Sequence, residues 1–513
     1  MNCSYPNDLA GFRILHGGSI TRHQRMTWDE SGVLLSKNNS SGSITVLRVA
    51  RGTHPRCHFA LASGFCGRWA GICWCAPWFF VVARVGNSRL KKMSNVPEVV
   101  ITGLGVVSPI GTGCDEFWHS LSEGRSGIRR IPALNGQPFP FAIGGQIVNF
   151  DATDKIRPRK ALKVMSRDIQ LAFVAADMAL QEAGIAASGV SPERFGIVFG
   201  ADLIPCELDE IANAIRSCMV DGRFDFSLWG TRALSELYPL WLLKYLPNMP
   251  ACHIGIAYDA RGPNNSLTLA EVSSLAAITE AVRVIQRGDA DVMVAGGTGC
   301  RIHPAVWVRT GAYQLSSRVD QPERACRPFD LDRDGMVHGE GAGAVVLESR
   351  KHAEARGAPI LARVLGFACA FEARRPDQPW SGEAIKRAIR DALRMAELKP
   401  HDVGHVNAHG LSTVEDDIAE ARAIRSELGD VAVTAPKSFF GNLAAGTGAV
   451  ELAVSLLAFR HGQVPITLNC ERPDPRCPIN VVNKAPVPAA PPVAVVLNHS
   501  RIGQAVALVV AGP

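Results

Sequence analysis

Four side chains that could do acid–base or electrostatic chemistry stand at or near the ends of predicted strands and helices. His409 follows a predicted strand, and Glu271 lies at the start of a predicted helix. Lys437 follows a later strand, and Glu451 lies inside the helix after it. An imidazole exchanges protons near neutral pH, and a helix N-terminus favours an anion by about 0.3 to 1 kcal/mol. A lone histidine after a strand is more often a packed residue, so the residue types alone leave both readings open.

The cysteines do not form a disulfide or zinc pattern. There are 14, scattered along 513 residues, and a chain of this length does not need disulfides to fold. Cys73 with Cys75 and Cys470 with Cys477 are the closest pairs, and neither has the paired spacing and the histidine partners of a structural zinc site. We therefore expect reduced thiols, a cytoplasmic location, no metal and no cofactor.

The charge is divided unevenly along the chain. Residues 1–92 carry 12 Lys+Arg against 3 Asp+Glu, whereas the rest carries 42 against 45, and together these give the net charge of +6. A slightly acidic body gives no electrostatic reason to expect a nucleic-acid partner. The 47% hydrophobic and 20% charged composition is that of a soluble globular protein.

The first 92 residues differ from the rest in showing no regular hydrophobic period. The apolar run at 70–83 is too short for a membrane helix and contains Pro77. Met93 offers a second start directly before the first predicted strand. We interpret 1–92 as upstream sequence translated from an early start codon. A disordered or membrane-touching extension is the alternative.

From residue 99 onwards, short β-branched runs ending in glycine alternate with longer amphipathic segments, which indicates a layered α/β protein. The first block has strands predicted at 99–103, 195–200, 292–297 and 344–348, and helices at 166–183 and 270–287. The second has helices at 381–398, 417–428 and 446–460, and strands at 360–365, 403–408 and 431–434 and near residues 494 and 505. We predict two successive α/β halves, 93–355 and 356–513, after the 1–92 extension.

Several segments, taken together and in order, resemble the β-ketoacyl-acyl-carrier-protein synthases. The matching stretches are the opening strand and turn at 100–111, the long signature at 325–343, Asn-Ala-His-Gly at 407–410, Pro-Lys-Ser-Phe-Phe-Gly-Asn at 436–442, and 462–480. Asp417 and Glu420 fit the first histidine motif. The resemblance implies a thiolase fold, in which two similar α/β halves form a five-layered αβαβα core.

The resemblance also locates a missing nucleophile. Members of this family hold the acyl chain on a cysteine at the first turn of a buried helix, where the helix dipole lowers the pKa of the thiol. Alignment of Gly262-Pro263 and Ser273-Ser274-Leu275 places Glu271 at that position. No cysteine lies between Cys252 and Cys300, and Cys300 is interpreted as structural.

The rest of the implied site is changed in part. His409 matches the first catalytic histidine, and we expect it to retain the geometry of the site, with an ion pair to Glu271 as one role open to it. Asn442 stands at the second histidine position, where it can donate a hydrogen bond to an oxyanion but cannot exchange a proton near neutral pH.

Lys437 and Glu451 match the supporting lysine and its acidic partner, which could be either structural or functional. The family's glycine-phenylalanine-glycine-glycine gate is replaced by residues 498–504, here called the gate loop. Within it Ile502 and Gln504, on either side of Gly503, are predicted to narrow or stiffen the gate.

Three functions remain open on the sequence. The first is a non-condensing protein similar to chain-length factors, paired with a cysteine-bearing synthase, although those relatives usually carry glutamine where this chain has Glu271. The second is an enzyme of the same fold, either an acyltransferase or thioesterase using Glu271 and His409 or a synthase acting by a non-standard route. The third is a membrane-associated or scaffold protein led by residues 1–92. For the first two, the expected partners are an acyl carrier protein bearing an acyl or malonyl thioester and a second subunit, in a homodimer or heterodimer.

Overall fold

The computed structural model describes residues 96–131, 143–185, 189–310, 314–373 and 380–513, together with the backbone of three short strands nearer the N-terminus. The chain divides into two compact units, 1–95 and 96–513. In the first unit the three strands pair antiparallel in the order β1-β2-β3. The apolar run 70–83 and Met93 lie outside the described residues. No helix among the described residues has the length and apolarity needed to cross a membrane.

The strands of the described residues are as follows: β1 Met26–Trp28, β2 Val33–Lys37, β3 Ile44–Arg48, β4 Val99–Ser108, β5 Gly111–Thr112, β6 Ile128–Arg130, β7 Ile143–Gly145, β8 Phe195–Ala201, β9 Met219–Val220, β10 Arg223–Phe224, β11 Asn264–Leu267, β12 Val292–Cys300, β13 Glu340–Ser349, β14 Ala362–Phe371, β15 His405–Asn407, β16 Ala432–Thr434, β17 Gln463–Val464, β18 Asn480–Val481, β19 Val487–Pro488, β20 Val493–His499 and β21 Gln504–Ala511.

The α-helices of the described residues are α1 Cys114–Ser122, α2 Arg167–Glu182, α3 Leu208–Ser217, α4 Leu234–Glu236, α5 Met249–Ala257, α6 Ser273–Gln286, α7 Pro304–Thr310, α8 Arg350–Ala355, α9 Glu383–Met395, α10 Val414–Leu428, α11 Lys437–Phe440 and α12 Thr447–His461.

One pairing pattern occurs twice in the large sheet. Its strand order is β11-β8-β12-β13-β4-β14-β21-β20-β15-β16-β18. In the first run, β11, β8 and β12 are parallel, and β13 and β4 then continue antiparallel. In the second run, β18, β16, β15 and β20 are parallel, and β21 and β14 continue antiparallel. The two runs meet where β4 pairs with β14.

Helices form three further layers around the two runs of strands. Helix α2 packs on β4, β12 and β13 and contacts α5, whereas α9 packs on β14 and β21 and contacts α10. Helices α6 and α12 contact each other and strands of both runs, so they lie between them. This is the predicted αβαβα arrangement. Close approach of α2 requires glycine on β4, because a Cβ added at Gly105 would lie 1.9 Å from the Ala175 carbonyl oxygen.

The predicted elements are present, with shifted ends. The first predicted strand extends to Ser108, and the helix predicted over 270–287 begins instead as a 3₁₀ turn at Ala270–Val272 before α6 starts at Ser273. The φ of Ala270 is +53°, which an α-helix cannot contain, so the tight turn precedes the regular helix. Glu271 therefore lies in a constrained turn and not in the first turn of α6.

Candidate active site

Glu271 is presented at a buried turn between β11 and α6. Its residue surface is 3% exposed. The Ser273 hydroxyl fixes the turn, since it donates to the Ala270 carbonyl at 2.6 Å and accepts from the Leu269 amide at 2.8 Å. The backbone thus holds a carboxylate inside the protein, where an unpaired charge would be strongly destabilising.

Arg301 supplies the missing positive charge. Strands β8 and β12 are parallel, so the residues that follow them, Asp202 and Arg301, lie at the same edge of the sheet. The Arg301 Nη2 atom is 2.7 Å from Glu271 Oε1 and 3.7 Å from Asp202 Oδ2. The Arg301 side chain is only 13% exposed. The ion pair predicted between Glu271 and His409 is therefore wrong, because Arg301 is the cation that contacts Glu271.

The Glu271 carboxyl is held in its ionised form. Burial acts to raise its pKa, but the Arg301 charge and the hydrogen bonds around the carboxylate outweigh burial and set the pKa below the usual value of 4.5. The electrostatic effect of His499 acts in the same direction. A carboxylate with these partners is a weaker base than a free one at neutral pH.

Asn442 is the second hydrogen-bonding partner of Glu271. Its Nδ2 group donates to Glu271 Oε1 at 3.4 Å and approaches the Met336 sulfur at 3.6 Å. Its Oδ1 accepts from the Ala444 backbone amide at 3.0 Å, which fixes the orientation of the side-chain amide. At 1% exposure, Asn442 directs its donors into protein contacts.

His409, Lys437 and Glu451 lie in contact with one another. The Lys437 Nζ atom lies 2.9 Å from His409 Nδ1, 2.5 Å from the His409 carbonyl oxygen and 2.5 Å from Glu451 Oε1. Burial, with Lys437 and other nearby cations, lowers the pKa of His409 well below 6.5, so the imidazole is neutral. Burial raises the pKa of Glu451 to about 7, although Lys437 acts against this shift.

The signature stretches predicted from sequence position this cluster. The two carboxylate oxygens of Glu420 accept the backbone N–H groups of His409 and Gly410, at 2.7 and 2.8 Å. Arg333, whose side chain is fully buried, lies 3.4 Å from Asp417. The 325–343 signature therefore supports the loop that carries His409.

The gate loop differs from its predicted form. Ile502 is 60% exposed, so its side chain does not narrow the interior in this structure. Gly503 has a φ of +96°, which glycine adopts without strain. The side chains of the loop that turn inward are Asn498, His499 and Ser500, none more than 1% exposed.

Cys300 is a packed residue at the end of β12. Its thiol lies 3.5 Å from Glu340 Oε2, and burial followed by the Glu340 charge raises the pKa of the thiol well above 9. It stays protonated at neutral pH, which supports its structural interpretation. Among the described residues, no group of three or more His, Cys, Asp or Glu side chains could hold a metal ion.

A small cavity beside Met336 has a volume of about 10 Å³. Two of its lining side chains are hydrogen-bonded to each other, since Trp307 Nε1 donates to His338 Nδ1 at 3.1 Å. A cavity of this size accommodates about one water molecule and no acyl chain. Its lining residues are Ile143, Trp307, Leu315, Ser316, Met336, Val337 and His338.

Comparison with known proteins decides the family. The model "Beta-ketoacyl synthase, N-terminal domain" matches residues 97–353, and "Beta-ketoacyl synthase, C-terminal domain" matches 361–471. The chain belongs to the β-ketoacyl synthase family. A 3-oxoacyl-(acyl-carrier-protein) synthase 2 of Synechocystis sp. is 35% identical over 398 residues, which cover 76% of this chain and 92% of that protein.

Two solved structures are similar over most of this chain. The ishigamide ketosynthase/chain length factor has a TM-score of 0.71 at 28% identity, over 82% of this chain and 100% of that one. A type II polyketide synthase acyl-carrier protein in complex with its ketosynthase bound to a hexaketide gives 0.68 at 28%, with the same coverage. Both confirm that this chain has a ketosynthase fold.

Two residues of the site were missed by sequence reasoning. Arg301 follows a predicted strand and is adjacent in sequence to Cys300, which was considered because it is the first cysteine after Glu271. His499 lies in a loop that was compared only with the glycine-rich gate. Arg301 could have been found from its place directly after a predicted parallel strand, because sites in such sheets lie at the carboxyl ends of the strands. No sequence pattern pointed to His499.

Proposed function

We propose that this chain is a non-condensing member of the family, acting in fatty acid or polyketide assembly as a chain-length-factor-like partner of a cysteine-bearing synthase. The observation that carries the proposal is the ion pair between Glu271 and Arg301 at the nucleophile position. Condensation needs a group that holds the acyl chain as a thioester. A mixed anhydride on Glu271 would be far more labile, and forming one would also break the ion pair.

Arg301 also affects how the site would receive a malonyl thioester. A lone Glu271 anion would repel the carboxylate of a malonyl thioester, but the Arg301 guanidinium at 2.7 Å offsets that charge. The proposal therefore rests on the ion pair that occupies the predicted nucleophile position in place of a thiol, and not on repulsion of malonate.

Exposed apolar residues support a protein partner. The segment between β8 and β11 carries an unusual number of large apolar side chains at the surface, which is typical of a binding face. Strand β11 is also the last strand at its end of the described sheet, so one of its edges is open to pairing. The apolar side chains include Leu203, Leu208, Phe224, Phe226, Leu234 and Leu242.

The proposal places the protein in the cytoplasm, with an acyl carrier protein bearing acyl or malonyl thioesters as the second partner. It is supported by the similarity to the ishigamide ketosynthase/chain length factor. The alternative, hydrolysis or acyl transfer with Glu271 as general base, has less support because Arg301 lowers the pKa of that carboxyl.

Co-expression tests the proposal. This chain is tagged and produced together with the cysteine-bearing synthases of the same organism. We expect it to co-purify with one of them. We also expect that partner to lose its elongation activity when this chain is left out. A Glu271→Gln variant should support the partner equally, since glutamine fills the same volume. A stable homodimer that by itself elongates the acyl chain carried by acyl-carrier protein would overturn the proposal. Hydrolysis or transfer of the acyl group of an acyl-carrier-protein thioester by the wild type, lost in Glu271→Gln, would instead favour an enzyme that uses Glu271 as general base.

A further inference from the structure

The cavity beside Met336 lies within two contacts of Glu271. Asn442 Nδ2 is 3.4 Å from Glu271 Oε1 and 3.6 Å from the Met336 sulfur, and Met336 lines the cavity. The charges of Arg301 and Glu271 both act on the pKa of His338, which is another lining residue. The cavity therefore adjoins the predicted nucleophile position.

The cavity is also the side of the site that suits an alkyl chain. Around His409 the contacts are polar, since the His499 ring lies 4.3 Å from the His409 ring between centroids and Lys437 Nζ lies 2.9 Å from His409 Nδ1. Apart from Ser316 and His338, the side chains that line the cavity are apolar or aromatic. Each methylene group that leaves water for such surroundings favours binding about fourfold.

Trp307 occupies the space that an alkyl chain would need. Its residue surface is 4% exposed, and its Nε1 donates to His338 Nδ1 at 3.1 Å. Burial lowers the pKa of His338 to about 3, so the imidazole is neutral and its Nδ1 keeps the lone pair that accepts this bond. If the indole ring moved aside, its N–H group would lose that acceptor inside the protein. The ring is thus held in the cavity wall, and about 10 Å³ is left open.

The backbone around His338 holds the acceptor in position. The Asn442 amide donates to the Val337 carbonyl at 2.8 Å, and the Gly339 amide donates to the Asn442 carbonyl at 2.9 Å. The His338 carbonyl itself accepts from the Gly145 amide at 2.9 Å. His338 is 1% exposed. With its backbone paired on both sides, His338 cannot follow a displaced indole ring without breaking these bonds.

We propose that Trp307, held by His338, closes the apolar interior beside Glu271 to acyl chains, so that this position admits only the shortest acyl groups, such as acetyl. The inference rests on the proposed function in one respect, that the ligand is an acyl thioester. Trp307 is then a specificity-determining residue, and His338 is a positioning residue that acts through it. A longer chain must be housed by the partner subunit.

Binding of a series of acyl-pantetheines to the full-length chain tests the inference. The probes are acetyl-, butyryl-, hexanoyl- and octanoyl-pantetheine, and calorimetry gives the Kd of each. For the wild type, the Kd should not fall along the series, because the added methylenes find no space. Trp307→Ala should open an apolar space, and cavities of about 150 Å³ of this kind bind benzene. Its Kd should fall about fourfold for each methylene that enters.

Two results overturn the inference. One is a wild-type Kd that falls as the acyl chain lengthens. The other is a Trp307→Ala protein whose Kd shows no fall along the series, including one that binds no member of it. Trp118→Ala is the matched control, because Trp118 is a half-buried tryptophan that stacks on His461 at a centroid distance of 4.4 Å and does not line the cavity. It should behave as the wild type.

Two variants of His338 test the hydrogen bond. His338→Gln retains a side-chain acceptor for the Trp307 indole and should keep the interior closed, whereas His338→Leu lacks one and should let the Kd fall for the longer probes. A purely structural role would not separate these two variants by chain length. If they behave alike, the hydrogen bond does not hold Trp307, and the role given to His338 is wrong.

A measurement on the wild type replaces a Trp307→Ala protein that does not fold. Trp307→Phe, which keeps an aromatic ring, identifies the indole N–H resonance of Trp307 in the NMR spectrum. Octanoyl-pantetheine should move this resonance no more than acetyl-pantetheine does, and a larger shift overturns the inference. The test is separate from that of the proposed function. Failure to find a cysteine-bearing partner leaves the closed interior standing, and an intact heterodimer in which this chain binds octanoyl-pantetheine more tightly removes only the role of Trp307.

Discussion

The guanidinium of Arg301 lies 2.7 Å from the carboxylate of Glu271, at the position where members of this family are expected to carry a thiol. The Arg301 side chain is 13% exposed and the Glu271 side chain 4% exposed, so each neutralises a charge that is largely removed from solvent. The position predicted for the nucleophile is therefore occupied by a buried ion pair, whereas condensation needs a free nucleophile.

Removing the Arg301 guanidinium should show how strongly the Arg301 and Glu271 charges are coupled in the free energy of unfolding. We expect Arg301→Met to lower the free energy of unfolding by about 3 kcal/mol, because it leaves Glu271 buried without its ion-pair partner. Adding Glu271→Gln to that variant should recover much of the loss. Urea unfolding of the four proteins gives the coupling energy.

An exposed ion pair provides the matched control. Arg130 and Asp320 are 2.9 Å apart with side chains 59% and 92% exposed, so Arg130→Met should change stability little. A loss in Arg301→Met no larger than that in Arg130→Met would contradict the interpretation of Glu271 as a compensated buried charge.

The stability should depend on pH through Glu451. Its pKa is raised from 4.5 to about 7 in the folded protein. Between pH 4.5 and pH 7 the folded state therefore keeps a proton that the unfolded chain releases. The free energy of unfolding contributed by this group is complete below pH 4.5 and falls as the pH rises through 7. Glu451→Gln should flatten this slope in urea unfolding measured at pH 5, 6, 7 and 8. Leu456→Ala, which destabilises the same helix without a titrating group, should keep the wild-type slope.

Glu271 should act in the opposite direction. Its folded pKa lies below 4.5, so the unfolded chain takes up a proton before the folded protein does. Its contribution to stability is present above pH 4.5 and is lost as the pH falls through the folded pKa. Glu271→Gln should therefore make the acid limb of the stability curve shallower. An acid limb as steep as that of the wild type would show that Arg301 does not stabilise the anion.

The chain should form no stable acyl adduct. Burial raises the pKa of the Cys326 thiol, and likewise that of Cys470, to about 12, so neither is a thiolate at neutral pH. After incubation with butyryl-coenzyme A, intact-mass analysis should show the unmodified wild-type mass. Glu271→Cys should gain one butyryl group, because the thiol would lie beside Arg301. A stable adduct on a wild-type cysteine would falsify the non-condensing proposal.

The gate loop should depend on glycine at one position. Gly503 has a φ of +96°, where a Cβ is strained, so Gly503→Ala should cost about 1 to 2 kcal/mol and loosen the loop that carries His499. Gly230 has neither a positive φ nor any atom within 4 Å of an added Cβ, and Gly230→Ala should be neutral or slightly stabilising. Equal thermal shifts for the two variants would show that the loop conformation does not require Gly503.

The family could be read from the sequence, because ordered motifs and hydrophobic periods are local properties of a chain. Glu271, His409, Lys437, Asn442 and Glu451 were proposed as site residues in the same way, and their roles stay predictions. The positions of the domain boundaries and the role of residues 1–92 stay predictions.

The partners of these side chains were decided only by the tertiary structure. Arg301 reaches Glu271 because two parallel strands end at the same edge of the sheet, and His499 reaches His409 because β20 pairs in parallel with β15. Each pair joins residues that are at least 30 positions apart. Burial then decides which charges must be compensated, and burial depends on how the layers pack, which no local pattern contains.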